Sequence, residues 1–73
     1  MDVLLLEHTE RYEGTDLLGI FSNDENGKAM AMKTGDKYVE REWSHLQYAD
    51  AAVTLTKIRL NRPELNGRII KRW

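Results

Sequence analysis

Four apolar residues in succession, Val3-Leu4-Leu5-Leu6, stand near the start of the chain and give way to Glu7-His8. A short continuous run bounded by polar residues reads as a strand covered on both faces, hence central in its sheet. Thr9 to Thr15 is polar, and Glu13-Gly14 supplies turn chemistry. Leu17-Leu18-Gly19-Ile20-Phe21 is a second apolar run, so the two predict an antiparallel hairpin with a longish loop. Gly19 inside that strand signals a bulge, or a helix packed close against it.

Ser22-Asn23-Asp24-Glu25 has the S-x-x-E form of a capping box, with two acids in the first turn to suit the helix dipole. Ala29 to Lys33 are good helix formers, and Gly35 is expected just past the helix end. Asn26-Gly27 argues for a hairpin instead, and Ala-Met-Ala-Met also has period two. Ala and Lys are poor strand residues, so helix is the expectation over Ser22–Gly35, with the hairpin as its competitor. From Asp36 to Gln47, Val39, Trp43 and Leu46 recur at helical spacing. They predict a second short helix, or a continuation beyond a kink near Gly35, with Trp43 at the junction of helix and sheet.

Ala52 to Leu60 is rich in Val, Thr, Ile and Leu and reads as a strand. Asn61-Arg62-Pro63 ends it, because proline has no N–H for a ladder. Asn66-Gly67 is a turn, and Arg68 to Trp73 a short edge strand. The order β-β-α-(α)-β-(β) defines a small α+β domain over residues 1–73: an antiparallel sheet with helix packed on one face.

Several short motifs run through these elements. Leu6-Glu7-His8 closes the first strand, Leu18-Gly19-Ile20-Phe21-Ser22 forms the second, and Tyr48-Ala49-Asp50 precedes the strand from Thr54 to Asn61. In these features the chain resembles a family of short domains of unknown function found in bacteria and their phages. The resemblance covers nearly the whole chain, implies the same small α+β fold and carries no activity. The segment between Ser22 and Tyr48 is several residues longer than is usual there. Glu42-Trp43, Gln47-Tyr48 and Thr56-Lys57-Ile58-Arg59 also give a fainter likeness, by analogy only, to a small phage inhibitor of bacterial RNA polymerase.

At 73 residues a folded chain buries only roughly 60% of its surface, so stability is marginal and reinforcement is expected from disulfides, metal or a partner subunit. There is no cysteine, and His8 and His45 are too few for an ordinary histidine-based structural zinc site, which leaves oligomerisation or an unusually good core. An apolar fraction of 41% excludes disorder, and no run approaches a membrane span. Asp2 and a short apolar stretch do not suit a signal peptide, so a cytoplasmic protein is expected.

Charge is sorted by position. Residues 1–50 hold eleven acids and five bases, whereas residues 51–73 hold one acid and six bases. Such asymmetry marks a polyanion-binding strip or a surface for complementary association. The candidate partner-binding residues are therefore Lys57, Arg59, Arg62, Arg68, Lys71, Arg72 and Trp73. Lys57 and Arg59 share one face of their strand, and pairing of the last two strands would gather the cations within ~10 Å, enough for two or three phosphates. Trp73 would then be free to stack on a base. The plainer alternative is that these cations protect an edge strand, with Trp73 folded onto the sheet.

Glu7, Glu10, Glu13 and Asp16 read as a solvated acidic loop, since their spacing matches no calcium loop. His8 and His45 belong to no recognisable catalytic pattern, the five glycines form no phosphate loop, and so small a domain has little room for a pocket. Met30, Met32, Tyr38 and Trp43 serve the core, or mark a partner surface where they remain outside it. The expectation is a non-enzymatic module without cofactor or metal that binds a protein partner, with homodimerisation in view. Its likeness points to a phage or mobile-element regulator, and its alternative is nucleic-acid binding through the basic segment 57–73.

Overall fold

The computed structural model describes residues 1–60 and 67–73. In chain order come strands β1 (Asp2–Glu10) and β2 (Gly14–Ser22), helices α1 (Glu25–Arg41) and α2 (Trp43–Tyr48), and strands β3 (Ala52–Arg59) and β4 (Arg68–Arg72). Every pairing is antiparallel and the strand order is β2-β1-β3-β4, an α+β architecture with helix on one face of the sheet. The shortest extent of the backbone is 14 Å, the thickness of one sheet and one helical layer.

The first apolar run is central, as its sequence predicts, but it is covered on one face only. Leu4, Leu6 and His8 alternate inward, while Val3 and Leu5 point to the other side and are half-buried. Their shelter comes from flanking strands: Val3 stands opposite Ile58, and Leu5 between Ile20 and Thr56. Neighbours within the sheet thus replace the second layer that a continuous apolar run implies.

Gly14 opens β2 with φ 93°, a conformation glycine takes without a Cβ penalty. The β1–β2 register shifts between Leu6 and Glu7, which makes Leu18 the extra residue of a bulge and turns it toward the core. Gly19 beside it lies under the Phe21 ring, where a methyl would sit 2.8 Å from Cε2. The close neighbour is an aromatic ring, not a helix.

Residues Ser22–Gly35 do contain helix, but its cap is Asp24, not Ser22. Asp24 Oδ1 accepts the Gly27 N–H at 2.7 Å, and this bond holds the carboxyl below its ordinary pKa. Ser22 is still tied into β2 opposite Val3, so its backbone cannot open a helix. Gly27 is no hairpin residue: it is buried in the first turn of α1, where a Cβ would come 1.8 Å from the Ser22 carbonyl oxygen. Gly35 does not end the helix either. It is buried within α1, which runs unbroken to Arg41.

Among the described residues the buried apolar side chains are few: Leu4 and Leu6 from β1, Ala31 from α1, Leu46 from α2, Val53 and Leu55 from β3. Leu18, Phe21, Tyr38, Val39 and Trp73 pack around them. Trp43, expected at the helix–sheet junction, is 56% exposed. Val39 and Trp43 do not share one helix, because α1 ends at Arg41 and α2 restarts at Trp43. The new axis delivers Leu46 to the core instead. Helix α2 closes in a Schellman motif: the Ala51 N–H donates to Leu46 O and the Asp50 N–H to Gln47 O, with Asp50 at φ 51°.

Candidate functional site

Strands β3 and β4 pair, but their register distributes the basic residues instead of gathering them. Lys57 and Arg68 face each other directly on the helix side, and with Lys28 of α1 they border a shallow pocket of about 270 Å³. Lys57 and Arg59 are also held by the Asp2 carboxylate, at 3.8 and 3.3 Å. Lys71 lies over the Trp73 ring, 5.1 Å from its centroid. Arg72 stands beside Thr54 on the opposite face. Arg62 lies outside the described residues. The register shift between Leu55 and Thr56 therefore leaves Arg68 and Lys71 on the helix side and puts Arg72 on the other.

Trp73 is partly buried and packs against the core. Its indole lies on Gly35, Nε1 donates to Asp36 Oδ1 at 2.8 Å, and its backbone N–H donates to Val53 O at 3.0 Å. A side chain so held is not free to stack on a base.

The opposite face of the sheet carries the more continuous surface. Reading across β2-β1-β3-β4, one row is Leu17, Glu7, Thr54 and Arg72, and the next is Ile20, Leu5, Thr56 and Ile69. Val3 and Ile58 follow in a third row. Both helices lie on the other side, among the inward residues of β1 and β3. Ile20 is accordingly 62% exposed, and Leu17 and Ile69 are exposed beside it. Among the described residues, large apolar side chains therefore lie in adjacent rows on a sheet face that no helix covers.

The acids of the first hairpin do not form one solvated loop, because β1 and β2 extend into it. Glu7 lies on the open face, Asp16 stands opposite His8 on the helix side, and Glu13 remains in the turn. Glu10 turns inward between the two histidines. Its Oε1 is 2.7 Å from His45 Nε2 and 3.3 Å from His8 Nε2. His8 is 5% exposed; its Nδ1 is hydrogen-bonded to the Tyr38 hydroxyl, while its buried Nε2 makes no hydrogen bond. Burial first, and then the charge of Glu42, push the Tyr38 phenol above its ordinary pKa, so it stays neutral. The donor atoms of His8, Glu10 and His45 all lie within 4.8 Å of one another.

In the sequence, two histidines are too few for an ordinary histidine-based structural zinc site. The H-x-E spacing places His8 and Glu10 on one face of a strand. The third member comes from α2, thirty-five residues from Glu10, and only the topology delivers it. Beside this cluster a pocket of about 310 Å³ opens between Glu10, Tyr12, His45 and Tyr48. The apolar recess between Val39, Trp43, Leu46 and Trp73 is smaller, about 180 Å³. No family model, curated protein or solved structure matches the chain.

Proposed function

We propose that the chain is a non-enzymatic protein-binding module, a small intracellular regulator of the phage or mobile-element kind, and that it binds through the open face of its sheet. The carrying observation is the pair of adjacent rows in which, among the described residues, Leu17, Ile20 and Ile69 are exposed beside half-buried Leu5, around Glu7 and Arg72. This face also carries its own complement. Glu7 on β1 and Arg72 on β4 share a row, two strand spacings or about 10 Å apart. Rotate a second copy about a two-fold axis parallel to the strands above β3, and β1 of one copy faces β4 of the other. Each Glu7 then meets an Arg72, and each Leu5 meets an Ile69, in an isologous contact of aligned sheets. A second copy is thus the first partner this surface fits.

Sedimentation at micromolar concentration tests the reading. Wild type is expected to be a dimer, Leu5→Lys a folded monomer, and Glu7→Arg a weakened dimer restored by adding Arg72→Glu. A wild type that stays monomeric, or a charge swap that restores nothing, overturns the self-association.

Lys28, Lys57 and Arg68 around one pocket support a second reading, a phosphate contact for nucleic acid. Three cations, one of them shared with Asp2, make a weak site. A salt series separates the readings: binding through the pocket falls with salt at a log–log slope of about −0.9 per phosphate on duplex DNA. Binding at physiological ionic strength that Arg68→Glu abolishes would favour nucleic acid.

A further inference from the structure

We propose that His8, Glu10 and His45 bind a divalent first-row transition ion, best fitted by zinc, which clasps helix α2 to the end of strand β1. The inference goes beyond the sheet-face reading and rests on different residues.

The first ground is the unsatisfied atom. His8 is almost wholly buried, and its Nε2 has no hydrogen-bond partner although Glu10 Oε1 is only 3.3 Å away. Buried polar atoms left so are rare and point to a missing partner. The opposite ring nitrogen is anchored on Tyr38, which fixes the imidazole plane and aims Nε2 toward Glu10 and His45. A histidine ligand held through its second nitrogen is the usual arrangement around bound metal.

The second ground is donor geometry. Tetrahedral zinc with bonds of about 2.0–2.1 Å holds its ligand atoms roughly 3.3 Å apart. The His8–Glu10 separation is already 3.3 Å. The His45–Glu10 separation, 2.7 Å, is that of a hydrogen bond, and half-exposed His45 can widen it by side-chain rotation. Two imidazoles and one carboxylate suit zinc, cobalt, nickel or copper, whereas calcium and magnesium require a shell of oxygens. The fourth position faces the pocket beside Glu10 and His45, where water or a ligand atom completes the shell.

The consequence is structural. Helix α2 has six residues, and Leu46 alone among them is buried. Neither short helix nor small core holds it firmly. One ion bonded to β1 through His8 and Glu10, and to α2 through His45, joins both elements at the edge of the core. Metal affinity then adds directly to folding stability.

The test is titration of chelator-treated full-length protein with zinc chloride, followed by calorimetry and thermal unfolding. Wild type should bind one equivalent, and its Tm should rise by roughly 15–20 °C at a hundred-fold excess over Kd. Calcium and magnesium should leave Tm unchanged. His45→Ala removes an exposed side chain and Glu10→Gln keeps the shape of its parent; both should fold, by far-ultraviolet circular dichroism, and lose at least about ten-fold in affinity. Cobalt should give visible d–d absorption with wild type and none with His45→Ala. Absence of a one-equivalent transition, or equal zinc affinity in wild type and both variants, overturns the site.

Discussion

Trp73 and Gly35 occupy each other's space: a methyl on Gly35 would come 2.3 Å from Cζ2 of the Trp73 indole. Alanine in a helix interior ordinarily stabilises by about 1 kcal/mol over glycine. Here it evicts the ring from its seat, breaks the bond to Asp36 and exposes apolar surface worth more than that gain. Gly35→Ala is expected to lose about 1–2 kcal/mol net by denaturant unfolding. In a Trp43→Phe background, tryptophan emission should shift red as the indole becomes wet. A more stable Gly35→Ala protein with unchanged emission would refute the seating.

Asp50 offers the opposite case. It adopts φ 51° in the Schellman turn that ends α2, a conformation in which glycine avoids the Cβ penalty. Its ion pair with Arg11 spans 3.6 Å between two exposed side chains and adds little. Asp50→Gly should therefore raise stability by about 0.5 kcal/mol, seen as a higher denaturant midpoint at unchanged slope. A comparable loss would mean that the ion pair outweighs the backbone.

Trp43→Ala is expected to lose about 1 kcal/mol, well short of the ~3–5 kcal/mol of a buried tryptophan, because more than half of the side chain is already in water. Chemical denaturation measures the difference. A loss in the upper range would return Trp43 to the core.

Two groups give stability opposite slopes at the extremes of pH. Burial raises the Tyr38 pKa above its unfolded value of about 10. Its contribution is complete below that value and is lost as pH rises through the folded pKa. Asp24 is lowered from 3.8 by the bond from the Gly27 N–H. Its contribution is complete above the unfolded value and disappears as pH falls through the folded one. Melting curves should show Tyr38→Phe flattening the alkaline limb and Asp24→Asn the acid limb, since asparagine caps without ionising. Unaltered limbs in both variants would contradict the assignments.

The elements were legible where one signal acted alone. The Val3–Leu6 run and the Val-Thr-Leu alternation after Ala52 gave strands near their true positions, since hydrophobic period fixes a strand locally. What depended on a partner far along the chain was not legible. Gly27 and Gly35 carry turn chemistry in isolation, yet one meets the end of β2 and the other an indole thirty-eight residues away. The open face was hidden because Val3 and Leu5 look like residues that need a second layer. The division of the basic segment between two faces was not legible, because a bulge between Leu55 and Thr56 shifts the register of β4 and sends Arg72 to the far side. His8 and Glu10 were within reach as an i, i+2 pair on a strand, but His45 joins them only through the fold.

The strand order has a consequence for how the chain is made. Strand β1 lies in the middle of the sheet, but its second neighbour, β3, begins at Ala52. During synthesis the β1–β2 hairpin can close as soon as Ser22 emerges, leaving the inner edge of β1 and the side chains of Leu4 and Leu6 bare. That edge stays open to any other extended chain until some thirty more residues have been added. Helix α1 can form in the interval and shade the leucines, but it cannot pair the edge. The sheet's distant final pairing therefore sets the pace of folding, and the nascent hairpin is the stage at which crowding is most harmful.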